Sequence, residues 1–103
     1  MKNKDTKSLK KEIFVSVSDN WCGNYPGDKI RVHVALNWFP DLHQFFVRIG
    51  AWGNDDLGMI KDFDDENYEV LLAKYNELCE TFLKQMPQVV NQEWFLEQGF
   101  EYF

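Results

Sequence analysis

Carboxylate side chains crowd residues 53–69, where seven acids accompany a single base, Lys61. Apolar residues lie between the acids, which favours a folded ridge over a solvated tail. Carboxylates held on a rigid surface can replace nucleic-acid phosphates in a cationic groove, and docking of this kind is fast and sensitive to salt. The acids predicted to bind a partner are Asp55, Asp56, Asp62, Asp64, Asp65, Glu66 and Glu69.

Part of this acidic ridge also suits helix chemistry. Asp64 or Asp65 can cap the first amides of a following helix, and Glu66 and Glu69 suit the positive end of its dipole. Paired aspartates also bind Mg²⁺ or Ca²⁺, but the spacing here is not that of an EF-hand loop. We therefore expect no metal and no cofactor.

Aromatic side chains supply a second set of candidate binding residues. Trp21 and Tyr25 lie in a loop rich in turn formers, which serves either as a recognition loop or as cover for a sheet edge. Trp52 and Tyr68 flank the acidic ridge in sequence. We expect these four rings to assist the acids in binding.

Thiol chemistry is the remaining candidate. Cys22 with His33 or His43 would make a nucleophile and its base, which leaves a small cysteine-dependent enzyme as an alternative. A zinc site built from these three residues and Cys79 lacks finger-like ligand spacing. Cys79 lies on an apolar helix face and is predicted to be core, and both histidines are predicted to be surface polar residues.

The charge of the chain is unevenly distributed. The 103 residues suit one domain, and with 45% hydrophobic and 17% aromatic residues they can bury a core. Residues 1–11 carry five lysines and one acid, a net charge of +4. Since the whole chain has a net charge of −6, residues 12–103 carry −10. We predict a flexible basic arm over residues 1–11 and a single α+β domain over residues 12–103. An acidic body repels nucleic acid and favours a protein partner with a basic surface.

Targeting signals are not apparent in the sequence. The first residues lack the apolar core of a secretory signal, and no apolar run approaches the roughly 18 residues that span a membrane. The two cysteines have no paired-motif spacing, which is typical of a reducing compartment. These observations predict a cytoplasmic protein without a membrane partner.

Hydrophobic periodicity supplies the elements that must position these side chains. Alternating apolar residues predict strands over residues 12–18, 29–38 and 43–52, and a weaker strand over 57–63 after a hairpin turn. Apolar residues from Tyr68 to Met86 recur every three or four positions, which predicts an amphipathic helix of about five turns. A second short helix is predicted within residues 87–98, closed by Gly99. The expected fold is a four-stranded antiparallel meander with the long helix packed on one face.

Three rings, Phe14, Phe46 and Trp52, fall on the sheet face away from the main apolar stripe. We expect the aromatic residues of the last segment to cover them; otherwise they form an interface, including that of a homodimer. The covering residues would be Trp94, Phe95, Phe100 and Phe103.

The composition favours a non-catalytic binding module that occludes a basic, nucleic-acid-handling surface of a partner protein. Small size and an acidic body are also common features of phage and mobile-element inhibitors, including anti-CRISPR proteins and other nucleic-acid mimics. A second hypothesis is a toxin-immunity or accessory subunit that binds through an aromatic face. Binding through acids should weaken steeply with salt, whereas binding through rings should barely respond.

Overall fold

A computed structural model describes residues 9–21, 23–39, 44–53 and 57–103. Its four long strands pair antiparallel in chain order, each with the next. These strands are β1 (Leu9–Val17), β2 (Lys29–Phe39), β3 (Gln44–Trp52) and β4 (Gly58–Asp64).

Two further strands of two residues each extend this sheet at both ends. β5 (Val89–Val90) pairs parallel with β1, and β6 (Glu101–Tyr102) pairs antiparallel with β4. The result is a curled, mixed, six-stranded sheet in the order β5-β1-β2-β3-β4-β6, so the expected four-stranded meander with one long helix is wrong. Two-residue strands are too short to show the alternation by which strands are predicted.

The main helix is shorter than its sequence pattern predicts. α1 (Tyr68–Leu78) ends where a π-helical turn, Cys79–Leu83, begins. Both Cys79 and Leu83 remain buried against the sheet. Apolar spacing of three to four residues continues through this wider turn, so periodicity alone cannot locate the change.

The second helix, α2 (Gln92–Glu97), occupies only the last part of its predicted range because β5 takes the first part. The side chain of Asn91 accepts a hydrogen bond from the Trp94 amide at 2.8 Å and caps the helix. Gly99 follows with φ of +90°, which confirms the predicted glycine after the helix end.

The core lies between one face of the sheet and both helices. Alternate residues of β1 to β4 point toward α1, the π-helical turn and α2. Burying each large apolar side chain here contributes roughly 1.5–3 kcal/mol before conformational entropy is counted. The largest fully buried side chains are Trp21, Phe95, Ile30, Leu36, Ile49, Met59, Leu71, Val17, Val32, Val34 and Val47.

Several sequence predictions fall wholly or partly outside the described residues. Residues 1–8 of the predicted basic arm lie outside the described residues, while residues 9–11 begin β1. Residues 54–56 of the predicted hairpin turn also lie outside them. The division into arm and domain therefore stays a prediction. Within the described ranges, no helix combines the length and the apolar character that crossing a membrane requires.

Candidate functional site

The sheet face opposite the helices, here called the outer face, carries two strongly exposed aromatic side chains, Phe14 and Phe103. Antiparallel pairing places Phe14 and Trp52 on either side of Arg31, and the amide of Phe103 donates to the Gly58 carbonyl beside Trp52. Phe14 is 60% exposed and Phe103 is 72% exposed, while Trp52 is half-buried. The three rings therefore share one row across the sheet.

Trp52 is held against the sheet by two glycines that leave room for its indole ring. A Cβ atom at Gly50 would overlap the indole nitrogen, and one at Gly58 would lie 3.1 Å from the Cδ2 atom of the ring. The Phe103 ring meets Trp52 edge-on, with 5.1 Å between the ring centroids. Contacts within the chain thus hold the indole against the sheet.

Arg48 and Asp62 form an ion pair on the same face. The Arg48 nitrogens Nε and Nη2 donate to the two Asp62 carboxylate oxygens at 2.8 and 3.0 Å. Hydrogen bonding to Asp62 raises the pKa of Arg48, and the guanidinium also lies 5.4 Å from the Phe103 ring centroid. Asp62, a predicted partner-binding acid, is therefore already paired with a cation of its own chain at the surface.

His33 lies beside Trp52 on the outer face, with 6.4 Å between stacked rings. Its Nδ1 atom is buried and has no hydrogen-bond partner within the described part of the chain. Burial, followed by the charges of Lys10 and Arg31, lowers the pKa of His33. The imidazole is therefore neutral at pH 7, and it supports the Trp52 ring without adding charge.

Four acids of the predicted ridge lie exposed where β4 leads into α1: Asp64, Asp65, Glu66 and Glu69. The expectation that Asp64 or Asp65 caps the helix is wrong, because Asn67 is the capping residue. Its Oδ1 accepts the Glu69 amide at 2.9 Å, while Asp65 Oδ1 accepts the Asn67 amide at 2.8 Å. The cap leaves Asp64, Glu66 and Glu69 directed to solvent.

One of these acids, Asp64, lies on the outer face, and the other three follow it in sequence toward and into α1. Asp64 is the residue of β4 that lies opposite Phe46 of β3, at the end of the face nearest α1. Asp55 and Asp56, the other acids of the predicted ridge, lie outside the described residues. The described acidic surface therefore consists of Asp64, Asp65, Glu66 and Glu69.

The remaining predicted binding rings have different surroundings. Trp21 is 2% exposed and stacks on Phe95 at 5.6 Å, so its ring belongs to the core. Tyr25 is 70% exposed in the same loop. Tyr68 is half-buried and meets Phe45 edge-on at 4.7 Å. Trp52 is thus the predicted binding ring that lies on the outer face.

The expected cover of the outer face is wrong for three of its four residues. Trp94, Phe95 and Phe100 pack on the helix side of the sheet, in or against the core. Phe103 alone of the four lies over Trp52. Phe14 therefore remains exposed, whereas Phe46, another ring expected on this face, is buried.

Thiol and metal chemistry find little support in the described residues. Cys22 and His43 lie outside them, so the enzyme hypothesis built on Cys22 stays untested. Cys79 is buried on the helix side, whereas His33 lies on the outer face, so the sheet separates the two. Burial and a hydrogen bond with Cys79 raise the pKa of Tyr75 to about 12. The described ranges contain no group of three side chains suited to holding a metal ion.

The predictions from sequence did not include the two glycines that pack under Trp52, the pairing of Asp62 with Arg48 or the contact of Phe103 with Trp52. Glycine within a strand pattern often marks the close approach of another group, so Gly50 and Gly58 carried a usable signal. The ion pair depends on which residue of β4 lies opposite Arg48. That register is not readable without the turn between the strands.

Comparison of the chain with protein-family models, with curated proteins and with solved structures gave no match. Its function is therefore argued from the site itself.

Proposed function

We propose that this protein is a non-catalytic binding module that docks its outer face and the adjoining acids onto a basic surface of a partner protein. The observation that carries the proposal is the placement of both helices on one side of the sheet. This placement leaves Phe14 and Phe103 exposed on the outer face, although Phe46 on the same face is buried. Exposed rings grouped on one face are typical of interaction sites.

The charge beside the rings indicates the kind of partner. Asp64, Asp65, Glu66 and Glu69, here called the acidic border, are exposed from the end of β4 into the first turn of α1, and they make no ion pair among the described residues. A cationic partner surface would gain from these carboxylates during approach and in the bound state. In the proposed mechanism, the module occludes a site that normally receives nucleic acid. We place this action in the cytoplasm, where the buried Cys79 stays a free thiol.

The test compares two triple variants with equal changes in charge. The first neutralises the border with Asp64→Asn, Glu66→Gln and Glu69→Gln, leaving Asp65 to accept the Asn67 amide. The control neutralises three exposed acids away from the border with Glu77→Gln, Glu80→Gln and Glu97→Gln. Each protein is immobilised and exposed to a lysate of the source organism, and retained proteins are identified.

We expect the wild type and the control to retain a nucleic-acid-handling protein. The border variant should retain about tenfold less of that protein, or even less. Heparin, as a polyanion, should displace it, and raised salt should elute it. Two results would contradict binding through the acidic border. One is equal retention of the partner by all three proteins, and the other is retention that neither heparin nor salt reduces.

The exposed rings favour a second candidate, a toxin-immunity or accessory subunit that binds through the outer face without the acids. The double variant Phe14→Ser and Phe103→Ser removes the two most exposed rings of that face. Retention that survives high salt and border neutralisation but disappears in this variant would identify the second candidate. Loss in the border variant with retention in the ring variant would instead favour the first.

A further inference from the structure

The outer edge of β1 is paired over only a small part of its length. The amides of Ser16 and Ser18 donate to the carbonyls of Gln88 and Val90 at 2.9 Å, which is where β5 joins. In the described part of the chain, no strand pairs with this edge over residues 9–15. Such an edge is a ready template for another strand.

The direction of the free backbone groups follows from the register. Pairing of β1 with β2 runs without a bulge from Leu9 to Ser16. Successive residues of a strand direct their N–H and C=O groups to opposite edges. Since Ser16 directs its groups outward, Phe14, Glu12 and Lys10 do so too. These three residues can therefore form the hydrogen bonds of an added antiparallel strand.

A second copy of β1 fits this edge in one favoured register. If two β1 strands pair about a two-fold axis at Lys11, each Lys10 lies opposite the partner's Glu12, which gives two cross-strand ion pairs. A shift of two residues one way places Glu12 opposite the partner's Glu12. The opposite shift places Lys10 opposite the partner's Lys10. Like charges directly opposite are destabilising. The first register has one such pair, Lys11 with the partner's Lys11 on the axis, against two opposite-charge pairs. Each shifted register has one like-charge pair and no opposite-charge pair, so the charges favour the first register.

The apolar side chains agree with this register. On the helix side of the sheet, Leu9 would lie opposite the partner's Ile13. Leu9 is 38% exposed in the single chain, and Ile13 lines a cavity of about 290 Å³ between β1 and the π-helical turn. The partner's Leu9 would cover the mouth of this cavity, whose other apolar lining includes Leu83.

We propose that two copies of this chain associate by antiparallel pairing of their β1 edges, with Lys10 of each opposite the partner's Glu12. The two six-stranded sheets would then form one continuous sheet. Both outer faces would lie side by side on it, so the dimer would present two docking faces to a partner. The pairing itself does not depend on the function proposed above.

Charge reversal and charge exchange test the proposal by sedimentation equilibrium. The wild type is expected to dimerise reversibly, with twice the monomer mass of 12.3 kDa. Lys10→Glu and Glu12→Lys each place two pairs of like charges across the axis, and each should raise the dimer Kd by about tenfold or more. The double variant exchanges the charges and should restore the wild-type Kd. Glu97→Lys, an exposed reversal on α2, is the control and should leave the Kd unchanged.

These side chains are exposed, so circular dichroism should show the same fold in every variant. A wild type that stays monomeric throughout the micromolar range would overturn the proposal. So would single variants that dimerise like the wild type, or a double variant that fails to recover. An effect of Glu97→Lys equal to that of Glu12→Lys would show a response to net charge rather than to register, and would also overturn it.

Oxidation of an introduced cysteine tests the register independently, in a Cys22→Ser background. Lys11→Cys would place two thiols opposite each other in a non-hydrogen-bonded pair, with Cα atoms about 4.5 Å apart, close enough for a disulfide. Leu9→Cys, on the same side of the sheet, would separate its two thiols by about 13 Å along the strands. A disulfide-linked dimer from Lys11→Cys but not from Leu9→Cys is expected; the reverse pattern, equal linking or no linking would exclude this register.

Discussion

Strand alternation places Trp52 on the outer face, and its ring lies close to the sheet because two residues beside it lack side chains. Gly50 and Gly58 lie in neighbouring strands, and a Cβ atom on either would meet the indole. A tryptophan on an open sheet face would otherwise project into solvent and lose much of its order. The glycines thus reduce local strand propensity and leave space in which the indole packs against the sheet.

His33 should make the stability of the protein depend on pH. Its folded-state pKa is lowered from 6.5 by burial and by Lys10 and Arg31, with Glu12 opposing and Arg48 adding to the shift. Below pH 6.5 the unfolded chain binds the extra proton more readily than the folded chain does. The contribution of neutral His33 is therefore complete above pH 6.5 and is lost as the pH falls toward its folded-state pKa.

The variant His33→Gln cannot titrate in this range. Urea midpoints measured between pH 5.5 and 7.5 should fall with decreasing pH for the wild type and change less for the variant. His43 is present in both proteins and serves as an internal control. Parallel curves for the two proteins would show that protonation of His33 is not coupled to folding.

At the scale of elements, the start of α1 depends on one amide side chain. Asn67 accepts the Glu69 amide, whereas Asp64 makes no cap contact. Asn67→Ala should lower the free energy of unfolding by about 1 kcal/mol, while Asp64→Ala should have little effect because its side chain is exposed. Urea denaturation of the two variants measures the difference. If Asp64→Ala lowered the free energy of unfolding more than Asn67→Ala does, Asp64 rather than Asn67 would be the capping residue.

The long strands could be predicted because each alternates apolar and polar residues over enough positions. β2 starts at the predicted Lys29 and β3 ends at the predicted Trp52. β5 and β6 could not be predicted, since a strand of two residues forms only when a distant edge is available to it. The π-helical turn was equally hidden, because Cys79 and Leu83 keep the apolar spacing of an ordinary helix.

The candidate site was predictable only in part, for a related reason. The exposure of Asp64, Glu66 and Glu69 follows from local sequence, since a helix start places acids in water. The ion pair between Asp62 and Arg48 depends on the pairing of β3 with β4, which sequence alone does not show. Trp21 looked like a loop residue, but it stacks on Phe95 of α2, more than seventy positions away in sequence. Long-range contacts decide such cases.

At the scale of the whole molecule, the two faces of the sheet differ in how far their aromatic side chains are buried. The helix side holds the fold together, and Phe100 is buried there against Phe82 and Phe95. On the outer face, Phe103 contacts Trp52 and Arg48 but remains 72% exposed. Two phenylalanines three positions apart thus lie on opposite sides of one sheet.

This division predicts opposite results for two otherwise identical substitutions. Phe100→Ala should lower the free energy of unfolding by about 3–5 kcal/mol, because it empties a packed site in the core. Phe103→Ala should lower it by about 1 kcal/mol or less, the value of an aromatic contact at a surface, and should shift Trp52 fluorescence to longer wavelength as water reaches the indole. Urea denaturation followed by circular dichroism gives both energies. Since each change removes the same atoms, equal losses would mean that the outer face stabilises the fold as much as the core does, and a surface needed for stability would be a poor candidate for binding.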